Sequence, residues 1–296
     1  MTTAEKGFLL LTGYLGDPER KPLTVAQFRD LTARARAMSR PLDDRELTEA
    51  DLLAIGCSHQ AARKILQLLD QEELLSWYVN KGYRLDCEPL TRISDGYPHR
   101  LRKTLGMEAP GTLWCRGDLG LLKNKTVSLV GSRDLRPENE AFAKEVGRQA
   151  ALQGYTLVSG NARGADRIAQ DSCLAQGGSV ISIVADQLTS HRMKDHVLYI
   201  AEDGYDLEFT SHRALSRNRL IHSWSDKVFV AQCTYGKGGT WDGTSNNLRR
   251  GFSQVFCLRD GSRAALELEQ MGAACITTEA LEDISAISGS TISFLD

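Results

Sequence analysis

From about residue 125 onward, short apolar, β-prone runs alternate with helix-length stretches, and no other feature of the chain constrains its fold as much. Strands are predicted at 126–130, 155–158, 179–184, 227–231, 254–258 and 274–277. Helices are predicted at 140–153, with Phe142, Val146 and Ala150 on one face, and at about 165–176. The strand runs are apolar almost throughout, with no polar face, so both faces of each strand must be covered. Strands of that kind separated by helices define an α/β class: a doubly wound, mainly parallel sheet with helices on both sides. The segments 126–130, 155–158, 179–184 and 227–231 are expected to be its central neighbours. Residues 186–201 carry no pattern that assigns them.

Before this region the chain reads as helical. Thr24 is placed to cap a helix carrying Phe28, Leu31 and Ala35, and Thr48 and Asp51 stand at capping-box spacing. A third helix over 60–69 puts Ala61, Ile65 and Leu68 on one face, and a fourth spans 72–81. The division expected is a small N-terminal helical domain, 1–88, followed by a Rossmann-like domain, 89–296. Residues 1–88 hold 12 basic and 14 acidic side chains, a balance of −2 that favours packing or partner binding over nucleic-acid contact. The whole chain has 36 basic and 38 acidic residues. That excludes coating of duplex DNA by overall charge but leaves room for a local basic groove.

The apolar run at 8–11 is too short for a signal-peptide core, and no stretch approaches the ~18 apolar residues of a membrane span. A cytoplasmic protein without membrane contact is expected. The seven cysteines form no CxxC pair and the six histidines form no HxxxH or HExxH set, so reduced thiols, no metal and no cofactor are expected.

In a doubly wound sheet, ligands bind at the carboxyl ends of strands, where helix N-termini point. Four segments are assigned there. Gly131-Ser132-Arg133 follows the first strand: a tight turn, a hydroxyl and a forked anion donor. Ser159-Gly160-Asn161-Ala162-Arg163-Gly164-Ala165-Asp166 follows the second, with glycines that let backbone N–H groups approach a phosphate. The run 211–220 holds Arg213, Arg217, Asn218 and Arg219 without an acid, and it also reads as a solvated helix face. Lys237-Gly238-Gly239-Thr240 follows the strand at 227–231, flanked by Tyr235 and Trp241. None of these is a GxGxxG or GxxxxGK[ST] loop, so dinucleotide and Walker-type nucleotide binding gain no direct support.

Taken in order, these residues resemble the DNA-processing protein A (DprA/Smf) family. Tyr97-Pro98-His99-Arg100-Leu101 and Pro110-Gly111-Thr112-Leu113 resemble its lead-in, Val130-Gly131-Ser132-Arg133 its VGSR turn, Ser159 to Asp166 its SGxAxGxD element, and Arg217-Asn218-Arg219-Leu220-Ile221 its RNRxI element. The likeness spans roughly 90–280. It implies an extended Rossmann-like domain of the SMF/LOG superfamily, a sterile-alpha-motif-like domain at the N-terminus, and single-stranded DNA bound in a basic pocket. It further implies a role in recombination and natural transformation through a recombinase partner, and a homodimer. The chain departs from the pattern at Gln170, where the family has a His. It also departs at Gly238 to Asp242, which is similar to the GGxGTxxE turn of LOG-type nucleotide phosphoribohydrolases. No winged-helix domain is expected after Asp296.

Two functions follow. In the first, Arg133, Arg163, Arg217, Arg219 and Lys237 hold the phosphates of a single strand, Tyr235 or Trp241 stacks a base, and no residue is catalytic. In the second, the glycine turns hold one nucleotide, as a sensor or an enzyme, with Asp242 or Asp166 acting at the ribosyl bond. The first is favoured, because no paired acid accompanies either carboxylate.

Overall fold

The computed structural model describes residues 1–36 and 47–289. Five helices come first: α1 (Thr3–Thr12), α2 (Val25–Arg36), α3 (Glu49–Ala54), α4 (His59–Leu69) and α5 (Glu72–Arg84). Thr48 caps α3 in a reciprocal capping box with Asp51. Thr24 and Gln27 exchange side-chain and backbone bonds at the start of α2 in the same way.

The strands are β1 (Glu88–Thr91), β2 (Thr112–Arg116), β3 (Thr126–Val130), β4 (Thr156–Ser159), β5 (Ser179–Ile183), β6 (Val197–Glu202), β7 (Lys227–Val230), β8 (Gln254–Leu258) and β9 (Ala274–Ile276). Between them run α6 (His99–Leu105), α7 (Pro137–Leu152), α8 (Ala165–Ala175), α9 (Ser211–Trp224), α10 (Gly238–Arg250) and α11 (Arg263–Gln270). One nine-stranded sheet results, in the order β1-β2-β6-β5-β4-β3-β7-β8-β9. The pairs β1–β2 and β2–β6 are antiparallel and all others parallel. The four strands expected at the centre are adjacent, as β5-β4-β3-β7.

Three strands lie outside the sequence reading. β6 falls across the end of the unassigned segment, on the apolar run Val197-Leu198-Tyr199-Ile200-Ala201. β1 and β2 form an antiparallel edge within the lead-in. Their pairing is long-range, between strands far apart in the chain, and local periodicity does not report it.

Alternate residues of each strand enter opposite cores. Val127, Leu129 and Leu157 pack with Phe142, Val146 and Ala169 of α7 and α8. Val130, Val158, Val228 and Val230 pack with Leu220, Ile221 and Trp224 of α9. Ser128 would be an unpaired hydroxyl between them, but it donates to Ile221 O at 2.8 Å. The N-terminal helices divide between two cores. Leu52, Ile65 and Leu68 centre a small cluster of their own. Leu9, Leu10, Leu75 and Tyr78 instead join the core of the sheet, where Tyr78 stacks on Tyr205 at 4.7 Å and meets Trp114 edge-on at 5.3 Å.

A candidate anion-binding pocket at the switch of the sheet

The chain winds from β3 through β4 and β5 to β6 on one side, then returns through α9 to build β7, β8 and β9 on the other. Loops leaving the carboxyl ends of β3 and β7 therefore diverge, and a crevice opens between them. A concavity of about 610 Å³ lies there. It is lined by Gly131, Ser132 and Arg133 after β3, Asp166 of α8, Arg217, Asn218 and His222 of α9, Gln232 after β7, and Lys237 to Thr240 at the start of α10.

Backbone bonds tie these loops together. The Ser132 N–H and Oγ both donate to Gln232 O, at 2.9 and 3.1 Å. Ala165 N–H donates to Ser132 O at 3.1 Å, joining the β3 turn to the start of α8. Gly164 makes that approach feasible: its φ is +84°, and a Cβ there would collide with the carbonyls of Ser132 and Arg133. Thr240 Oγ1 donates to Gly131 O at 3.0 Å, and Asn218 Nδ2 donates to Gly239 O at 3.1 Å. The start of α10 is thus fixed to both neighbouring elements.

The electrostatics favour an anion. α10 is 13 residues long and begins without a side-chain cap. Its first-turn N–H groups and the positive end of its dipole open on the pocket. Arg133 and Lys237 add two cations, while the nearby ion pairs engage other arginines: Arg163 with Asp134 at 2.7 Å, and Arg136 with Asp260.

The predicted site residues separate into three groups. Gly131, Ser132, Arg133, Asp166, Arg217, Asn218, Lys237, Gly238, Gly239 and Thr240 meet in the pocket. Ser159, Gly160 and Gly164 lie behind it as framework: buried Ser159 accepts from Gln170 Nε2 at 2.6 Å, and Gly160 O accepts from Arg217. Gln170, where the resemblance expects a His, is therefore a buried donor to the second strand end. Arg163 and Arg219 point elsewhere. Arg163 is exposed beside Asp134, and Arg219 lies 3.4 Å from Glu108 and 3.9 Å from Glu202 on the far side of α9. The segment 211–220 lies within α9, not at a strand end.

Arg217 lines the pocket and turns Nη1 inward, to Gly160 O and, at 3.1 Å, to Ile183 O, while its Nε is buried without a partner. It also faces Asp166, a buried carboxyl that accepts the Ala162 N–H at 3.1 Å. Burial pushes the Asp166 pKa up, and Arg217 and the N–H bond oppose that shift. Arg217 is thus a brace between two strand ends. On the back wall, buried His222 accepts from Asn247 at Nδ1, 3.1 Å away, and burial pushes its pKa down to about 4.

Neither expected stacking residue lines the pocket. Tyr235 packs edge-on against Trp241 at 4.9 Å, with the Arg263 guanidinium 4.0 Å over its ring. The aromatic at the pocket is Phe209, 56% exposed, which sequence reasoning missed. Its only signal is to be the last large apolar residue, after Tyr205 and Leu207, in the mixed run before α9. Asp242 is exposed and outside the lining. All seven cysteines are free. No described helix is long and apolar enough to cross a membrane.

Fold and pocket together define a doubly wound α/β protein with a glycine-lined, polar crevice at its topological switch point. A sequence profile of DNA recombination-mediator protein A matches residues 88–285, and the chain belongs to that family. It is 28% identical over 261 residues to the DNA processing protein DprA of Streptococcus pneumoniae, covering 75% of this chain and 92% of that one. Against two further curated relatives, Protein Smf of Escherichia coli and DprA of Bacillus subtilis, it spans only about half their length, 46% and 50%. The X-ray structure of DNA processing protein A from Streptococcus pneumoniae superposes with a TM-score of 0.72 at 23% identity, covering 95% of this chain and 97% of that one. The Helicobacter pylori DNA processing protein A, a structure described by its single-stranded DNA binding mode, superposes with a TM-score of 0.55 at 23% identity over 66% of this chain and 94% of that one.

Proposed function

We propose that this protein binds single-stranded DNA, without catalysis, by seating backbone phosphates in the pocket at the β3–β7 switch. The observation that carries this reading is the uncapped start of α10 facing the Gly131-Ser132-Arg133 turn, with Arg133 and Lys237 at the same concavity. Backbone N–H groups, a forked guanidinium and an ammonium bind phosphate without regard to base, as a general single-strand binder requires. Phe209 offers a stacking face at the rim. The family supports a task in recombination or in handling DNA taken up in transformation, in the cytoplasm, with a recombinase and a second copy of the chain as partners. On this reading residues 1–88 are a partner-facing helical domain and 89–296 the DNA-binding domain.

The enzymatic alternative, a LOG-like phosphoribohydrolase, requires a carboxylate free to act on a ribosyl bond. Asp242 lies off the pocket, and Asp166 is engaged by the Ala162 N–H and faced by Arg217. The discriminating experiment measures binding of labelled dT oligomers and of a panel of mononucleotides at two salt concentrations. Salt-dependent oligomer binding that Arg133→Ala and Lys237→Ala each weaken supports the proposal. Turnover of a ribonucleotide, or tight mononucleotide binding without oligomer binding, refutes it.

A further inference from the structure

α9 has two working faces. Ala214, Arg217, Asn218 and Ile221 line the phosphate pocket. The other face closes over Glu202, the last residue of β6, whose side chain is only 12% exposed. Ser216 Oγ donates to Glu202 Oε2 at 3.0 Å, and Arg219 Nη2 stands 3.9 Å away. Arg213 donates to the backbone carbonyls of Glu202, at 3.3 Å, and Ala185, at 3.1 Å. A cavity of about 50 Å³ remains beside the carboxyl, bordered also by His212 and Asp203.

The charged surroundings are unbalanced. Arg213 and Arg219 approach from α9, but Arg219 is shared with Glu108, which Arg250 also binds at 2.7 and 2.8 Å. Asp203 adds a like charge from the same strand end, and the Tyr97 ring, from the segment before α6, feels the carboxylate as well. Burial first, and Asp203 second, push the Glu202 carboxyl up to about 7, against the pull of Arg219, Ser216 and Arg213. Its charge is also felt by Arg217, the pocket's own guanidinium.

We propose that Glu202 is a proton-linked counter-charge to the phosphate pocket: a bound single strand draws a proton onto it, and its ionisation loosens the strand. The inference rests on the single-strand reading above. A phosphate in front of α9 and a carboxylate behind it repel each other through one helix. Phosphate binding therefore raises the proton affinity of Glu202, and linkage makes the reverse hold equally. The device sets how tightly the pocket holds its ligand near neutral pH, and no chemical step is involved.

The test is anisotropy of a labelled dT oligomer with the full chain at about pH 6 and about pH 8. Coupling at the low end of the ordinary range, about fivefold between the fully protonated and fully ionised states, predicts binding about threefold tighter at the lower pH. Glu202→Gln is expected to bind tightly at both, and His212→Asn, which removes the imidazole at the cavity and leaves Asp203 and Glu202 in place, to keep the wild-type dependence. A Glu202→Gln protein with the full wild-type dependence overturns the proposal and leaves single-strand binding intact. Absence of oligomer binding at either pH refutes both readings. If the variant does not fold, wild-type calorimetry near pH 7 in buffers of different ionisation enthalpy replaces it. Proton uptake on binding is then expected, and none overturns the proposal.

Discussion

Replacing Arg217 with Ala separates a bracing arginine from a phosphate-contacting one. The side chain donates to Gly160 O and Ile183 O, and its loss leaves both strand-end carbonyls without that partner. Charge-assisted bonds of this kind contribute about 1.5–3 kcal/mol each when the partner is sealed from water. Asp166, buried beside it, also loses its largest opposing charge and takes up a proton more readily. Removing one member of a buried charged pair costs about 3–5 kcal/mol. Arg217 is itself only partly buried and water can enter the gap, so a loss of about 2–4 kcal/mol is expected. For a chain of this size that is roughly a 4–16 °C fall in Tm. Urea and thermal unfolding, followed by near-UV circular dichroism, measure it. Arg133→Ala is the control: it should leave Tm within about 2 °C, being outside these bonds, and lower the salt slope of dT binding by about 0.7, one phosphate's share on a single strand. Should Arg217→Ala melt like wild type while losing that 0.7, Arg217 is a phosphate ligand and the bracing argument fails.

Gly131→Ala is expected to destabilise by about 1–3 kcal/mol in thermal melts, because its Cβ would overlap Ala165 Cβ, a backbone-anchored atom with no room to move. Asp242→Asn should leave oligomer affinity equal or slightly higher, since it removes an exposed negative charge outside the pocket; a large loss measured by anisotropy contradicts this. His222 has a folded pKa of about 4, below the value of about 6.5 in the unfolded chain, so its stabilising contribution is complete above pH ~6.5 and declines toward pH ~4. Denaturant titrations over that window should show a decline of roughly 3 kcal/mol that His222→Gln flattens. Arg219→Ala should change the salt slope by less than Arg133→Ala, because Arg219 lies outside the pocket and turns toward Glu108; an equal change in oligomer titrations refutes that placement.

The chain alone determines the class of fold. A run such as Thr126 to Val130, apolar at nearly every position and followed by a 3.6-period helix, can be satisfied only where both of its faces are covered. That is local information, repeated strand by strand, and it places the central strands in one sheet. The turn Gly131-Ser132-Arg133 and the Lys237-Gly238-Gly239 turn are equally legible, because a glycine after a strand and before a helix has few other uses. Tertiary structure decided everything that depends on which way a side chain leaves its helix. Arg217 and Arg219 are two residues apart on α9, hence about 200° apart around its axis, so one faces the pocket and the other faces Glu108 and Glu202. Nothing in the run Ser216-Arg217-Asn218-Arg219 states that difference. The long-range pairings of β1 with β2 and of β2 with β6 are likewise invisible to local periodicity. The exposure of Phe209 and the burial of Glu202 depend on the packing of α9 against the ends of β5 and β6, which only the assembled sheet supplies.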